Sequence, residues 1–291
     1  MGRRILSAGI PGRNLTTPPT QRLDAPRDRA FTRRTMKLRF PLSLLLLAHV
    51  SALAEPSPIK PEDLGYKLVW ADEFDAPTLD AGKWNTSYAP KVHPLGCNGE
   101  QQSYAREQVS LRDGKLVLQV ERKPREGMPF TSGMVASHDK FTQRYGWFEA
   151  RLKLPRGKGL WPAFWLLPQS KQWPPEIDIM EHKGRIPDRV WLTVHERQPN
   201  TWQPKSDGKE WSGPDFTADF HTFAVDWRPD RLAWFVDGIE RHQWRGNADF
   251  GAMYLILNLA IGGHWDGNAD ATTPLPSVME IDYVRVYQRP L

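Results

Sequence analysis

The chain has 291 residues, 25% of them charged and 40% apolar, with a formal net charge of +5. The surplus lies at the start: residues 1–54 hold ten of the 39 Lys and Arg but two of the 34 acids, which leaves 55–291 at −3. No net cationic field remains there to attract phosphate, which argues against a nucleic-acid partner, and a single cysteine, Cys97, excludes an intrachain disulfide or a cysteine-built metal site.

Residues 1–35 are polar, Arg-rich and rich in Pro and Thr. They precede a second methionine, Met36, and read as a start-site over-call or a disordered extension. Residues 36–54 have a short basic start, an apolar run and a small-residue end at Ala52-Leu53-Ala54. That is the pattern of a secretory signal peptide cleaved near Ala54, too short for a permanent membrane anchor. A secreted or periplasmic protein is expected. Residues 55–66 are a Pro-rich lead-in, and 67–291 read as one domain large enough to bury a full core.

Within that domain the elements read as strands. Residues 116–120 form a short apolar run after the turn Arg112-Asp113-Gly114. Residues 147–154 mostly alternate apolar and polar, the period of a half-buried strand. Residues 223–227 and 232–236 flank Arg228-Pro229-Asp230-Arg231, which is hairpin chemistry. Residues 253–259 are almost wholly apolar, as in a buried strand, and 280–287 alternate again. No long stretch has helical periodicity and no internal repeat is visible. The expected class is all-β, an antiparallel β-sandwich.

The densest chemistry lies at 176–181, Glu-Ile-Asp-Ile-Met-Glu, just after Trp-Pro-Ala-Phe-Trp-Leu-Leu-Pro at 161–168. Like charges this close repel, and burial disfavours their ionisation. Two carboxylates facing one cleft can cleave a glycosidic bond, one attacking while the other donates and recovers a proton. Indole faces beside them suit the apolar face of a pyranose. On a regular strand Glu176 and Asp178 share one face and Glu181 points away. A β-bulge near Ile179-Met180 restores the phase and brings all three to the same side.

These two segments resemble glycoside hydrolase family 16, the laminarinase and lichenase group, and its bulged laminarinase-like branch in particular. Further matching stretches are 70–74, 145–151, 234–238 and 281–287, so the resemblance covers essentially all of 67–288 in order. It implies a concanavalin A-like jelly-roll β-sandwich with a concave substrate cleft. It implies retaining endo-hydrolysis of a β-glucan, with Glu176 as nucleophile, Glu181 as acid/base and Asp178 between them.

The resemblance also implies substrate contacts for His195, Trp161, Trp165 and Trp265, and for Asn98, Gln102 and Tyr104 in a segment that lines the glycone subsites. Gln108 departs from the family pattern, which commonly has Asn before Val at that point. No cofactor is needed for the chemistry. A structural calcium ion on the convex side would use the positions of Asp282 and Glu73. The expected partner is a polysaccharide, acted on by a monomer with no membrane anchor. A β-1,3-1,4-glucanase, an exopolysaccharide depolymerase, a transglycosylase and a non-catalytic glucan-binding lectin are the competing readings.

Overall fold

The apolar–polar alternation of the sequence folds into strands, as a side-chain period of two requires. The computed structural model describes residues 56–198, 201 and 203–289; the extension at 1–35 and the signal peptide at 36–54 lie outside them. In chain order the strands are β1 (Lys67–Asp72), β2 (Gln102–Tyr104), β3 (Val109–Arg112), β4 (Lys115–Glu121), β5 (Phe130–Ser132), β6 (Met134–Ala136), β7 (Gly146–Lys153) and β8 (Leu160–Pro168). The second half supplies β9 (Glu176–His182), β10 (Arg189–Arg197), β11 (Pro204–Ser212), β12 (His221–Arg228), β13 (Arg231–Val236), β14 (Ile239–Arg245), β15 (Met253–Ile261) and β16 (Ser277–Gln288).

They form two sheets, the jelly-roll β-sandwich expected. The smaller sheet has the order β11-β10-β9-β8-β15-β6. The larger runs β14-β13-β12-β7-β16-β4-β5-β2, with β1 added beside β16 and β3 beside β4. Pairing is antiparallel except between β2 and β5, which run parallel. The Arg228–Arg231 hairpin forms as expected, with those two residues paired across the turn.

The core lies between the sheets. Phe148, Ala150 and Leu152 of β7, in the larger sheet, share one core with Ile177, Ile179 and Met180 of β9, in the smaller. Each fully buried aliphatic or aromatic side chain there contributes about 1.5–3 kcal/mol relative to exposure. On β8 the alternation divides the residues cleanly. Leu160, Phe164 and Leu166 enter this core, while Ala163, Trp165 and Leu167 turn to the opposite, concave side.

The lead-in is fixed to the larger sheet. The backbone N–H of Ile59 donates to the carbonyl of Gly238 at 2.7 Å. Tyr66 is buried beside Trp147 and Phe235 on that sheet's outer face, and its hydroxyl donates to the buried Asp226 at 2.5 Å.

The bulge is where the sequence placed it. Against β8, Phe164 pairs with Met180 but Trp165 pairs with Asp178. Against β10, Trp191 pairs with Glu181 but Thr193 pairs with Asp178. One extra residue at Ile179-Met180 therefore sits in β9, and both of these side chains enter the core. That extra residue shifts Glu181 onto the face that carries Glu176 and Asp178. The carbonyl of Asp178, next to the bulge, accepts the indole N–H of fully buried Trp234 at 2.8 Å. A side chain of the larger sheet thus fastens the irregular point of the smaller one.

Candidate active site

The concave face of the smaller sheet holds a cleft of about 680 Å³, within the range of small-ligand sites. Its floor is low because Ala163 and Ala260, on neighbouring strands β8 and β15, present only methyl groups. Glu176, Asp178 and Glu181 open into it from β9.

Each carboxylate has a distinct partner. Trp161 donates its indole N–H to Glu181 Oε1 at 2.9 Å. Trp173 donates its own to Glu176 Oε2, also at 2.9 Å. Asp178, almost fully buried, lies 2.9 Å from His195 Nε2. The same nitrogen is 3.7 Å from Glu176 Oε1, and Nδ1 is 2.7 Å from Ser206 Oγ on the edge strand β11. His195 and Ser206 are direct cross-strand neighbours.

Burial raises all three acids above their ordinary range. Glu176 is pushed well up by desolvation and then by the charge of Asp178, with His195 acting against both. Asp178 is pushed well up by desolvation and then by Glu181. Glu181 is raised by desolvation, while the Trp161 hydrogen bond, His195 and Lys183 pull it back. Crowded carboxyls of this kind divide their protons, so that one holds a proton while another is ionised near neutral pH.

The residues expected from the sequence fall in two groups. His195, Trp161, Trp165, Asn98 and Trp265 line the cleft. Both Trp161 and Trp165 face the concave side, but Trp165 is covered by Tyr88 and His93 at ring-centroid distances of 6.1 and 6.2 Å. Gln102 and Tyr104 stand behind the wall instead, in a smaller adjoining depression. Gln102 is buried, donating to Glu100 Oε2 at 2.6 Å and accepting the Ile261 N–H at 2.8 Å. Tyr104 meets the cleft through Tyr88, edge to face at 5.6 Å, and through Asn258, whose amide donates to the tyrosine hydroxyl at 3.0 Å and accepts from the Trp165 indole at 2.7 Å. Gln108, the departure from the family pattern, is buried and donates to Glu121 at 2.6 Å.

The expected calcium donors are each paired with an arginine. Glu73 is held by both Nε and Nη2 of Arg285, at 2.9 and 2.7 Å, and Asp282 by Arg151 at 2.7 Å. Guanidinium groups already answer these charges. Neither residue belongs to a cluster of three potential metal-ligating side chains among the described residues.

Sequence reasoning missed Trp173, Tyr88, His93, Glu100 and Asn258, all of which line the cleft. Asn258 had a readable signal, being the one amide in the apolar run of β15. The others come from loops or short connections whose path no periodicity reveals.

The family described as "Glycosyl hydrolases family 16" matches the chain over residues 98–285. The chain belongs to glycosyl hydrolase family 16. It is therefore a glycoside hydrolase, and its two sheets match that family's jelly-roll sandwich. This family 16 chain is 35% identical to glucan endo-1,3-beta-glucosidase A1 of Niallia circulans over 269 residues, 80% of its own length but 39% of that relative's. It is 36% identical to a beta-glucanase of Rhodothermus marinus over 247 residues, covering 77% of this chain and 85% of the relative. Its fold matches the laminarinase catalytic domain of Thermotoga maritima with a TM-score of 0.71 at 34% identity, over 78% of this chain and 99% of that domain.

Proposed function

We propose that this family 16 hydrolase is an exported, retaining endo-β-glucanase that cuts internal β-1,3-glucosidic bonds. The observation that carries the reading is the bulge at Ile179-Met180, which turns Glu176, Asp178 and Glu181 into one cleft. The names of the relatives support the glucan substrate. The apolar segment at 36–54 supports export, and among the described residues no helix is long and apolar enough to cross a membrane.

In the proposed reaction ionised Glu176 attacks the anomeric carbon while Glu181 gives its proton to the departing glycosidic oxygen. The first half-reaction leaves a glycosyl ester on Glu176 and an ionised Glu181. Glu181 then takes a proton from water as that water attacks the anomeric carbon, which breaks the glycosyl–oxygen bond to Glu176, frees its carboxylate and restores the acid. Asp178, bridged to His195, orients Glu176 and spreads the negative charge of the group. Residues Trp161, Trp265, Asn98 and His195 contact the sugar chain from the cleft walls.

The test is reducing-end release by the purified 55–291 chain from laminarin, mixed-linkage barley glucan and agarose in parallel. Release from laminarin is expected to lead, and to fall by at least about 1,000-fold in Glu176→Gln, because the amide cannot replace the attacking carboxylate. Faster release from barley glucan would keep the site and change the linkage. Binding without release in wild type, unaltered by Glu176→Gln, would mean a lectin.

A further inference from the structure

Lys183 leaves β9 two residues after Glu181 and is not part of the cleft lining. Its ammonium sits 4.7 Å from the ring centroid of Trp191 and 4.1 Å from that of Trp265. These two indoles meet edge to face, with centroids 4.9 Å apart and planes at 76°. Trp265 lies in turn against Trp161 at 5.1 Å, and Trp161 gives its N–H to Glu181. Trp191 closes the circle, being the cross-strand partner of Glu181 on β10.

We propose that Lys183 is a positioning residue for Glu181, acting through Trp265 and Trp161 and through its own charge. The inference rests on the reading of Glu181 as the acid/base. A cation over an indole face is held by the ring quadrupole. Lys183 pins Trp265, Trp265 backs Trp161, and the Trp161 N–H stays aimed at one carboxylate oxygen. The loop bearing Trp265 cannot drift, because Asp266 is buried and accepts from Gly159 N–H at 3.0 Å and Arg185 Nε at 2.7 Å.

Both routes act with the same sign. A hydrogen bond to the ionised carboxylate favours ionisation, and so does a nearby cation. The hydrogen bond of Trp161 and the charges of His195 and Lys183 all lower Glu181 against the upward push of burial. The other charged groups around Glu181 are Glu176 and Asp178 on β9 and His195 on β10. The 262–268 loop adds His264 at the cleft rim and the Asp266–Arg185 pair. β8 contributes only the neutral Trp161. Lys183 is thus the cation supplied by the first residue past β9, next to that strand's own acid.

The deciding experiment titrates the Glu181 carboxyl carbon by NMR in 13C-glutamate-labelled protein, with the resonance assigned from its loss in Glu181→Gln. K183M keeps the aliphatic stem over the rings and removes the charge; K183Q is the second neutral variant, should one of them fold poorly. The Glu181 midpoint is expected to rise by about half a unit in both, and to stay near wild type in K183R. The basic limb of the kcat/KM profile on laminarin, which reports the acid of the free enzyme, should move to higher pH by the same amount. A midpoint unchanged in the neutral variants overturns the proposal, and so does a rise in K183R as large as in K183M. If wild type cleaves no glucan, the proposed function fails alone, and the titration still decides the role of Lys183.

Discussion

The two glutamates of the site differ most in the indoles that touch them. Trp161 comes from a strand and is backed by Trp265, whereas Trp173 comes from the loop between β8 and β9 and is 51% exposed. Its N–H to Glu176 is therefore the less constrained of the two. Trp173→Phe keeps a ring at the cleft and removes the donor. We expect kcat on laminarin to fall about 3- to 10-fold with KM little changed, as the loss of one charge-assisted hydrogen bond in a partly solvated place implies. Trp173→Ala should also raise KM, because the ring face goes with it. Steady-state kinetics of the pair separates the effects, and equal KM changes in both variants would refute the assignment to the N–H. Nothing in the sequence near 173 announced this contact, since Pro174 and Pro175 mark a turn but not its direction.

At the scale of the strand, β9 does two jobs with one irregularity. Without the extra residue, Met180 would face the cleft and Glu181 the core, since a one-residue shift inverts every later side chain. Trp234, on the opposite sheet, holds the Asp178 carbonyl at that point. Trp234→Phe fills most of the same volume but leaves the carbonyl without its donor. About 1–3 kcal/mol of stability should be lost in urea unfolding, with activity falling by more than the unfolded fraction accounts for. A variant of wild-type stability would show that the bulge needs no such fastening. Much of this element was legible beforehand. Three acids in six residues, separated by apolar ones, demand a bulge if all the acids are to leave the core. The strand alternation of 147–154 and 280–287 was equally plain, because one face of each had to be buried. What stayed hidden was everything set by packing over long sequence distance. Gln102 and Tyr104 look like sugar contacts by their type and place in the chain, yet the fold uses them behind the wall. Nor does the sequence show that Glu73 pairs with Arg285 and Asp282 with Arg151.

For the molecule as a whole, the buried titratable groups make stability depend on pH in opposing ways. His182, at the end of β9, is fully buried and its Nδ1–H donates to the Arg189 carbonyl at 2.7 Å, while Nε2 has no partner. Desolvation pushes it down to about 4, so the folded protein resists its protonation. That contribution is fully present above the unfolded value near 6.5 and is lost as pH falls towards 4, because the unfolded chain then binds the extra proton. The site carboxyls work the other way, since their raised values let the folded protein bind protons first. The comparison must therefore be between two proteins. His182→Gln should shrink the stability lost between pH 7 and pH 5 by about 1–2 kcal/mol in urea titrations; identical slopes would sink the prediction. The lead-in belongs to this same folded unit, stapled through Ile59 and Tyr66 to the larger sheet. Finally, the three acids all ride on one seven-residue strand, while Tyr88, His93, Trp173 and Trp265 arrive from connections between strands. The acids and much of the cleft wall thus come from separate stretches of the gene. Lengthening or trimming those loops would reshape that wall and leave the strand that carries the acids untouched.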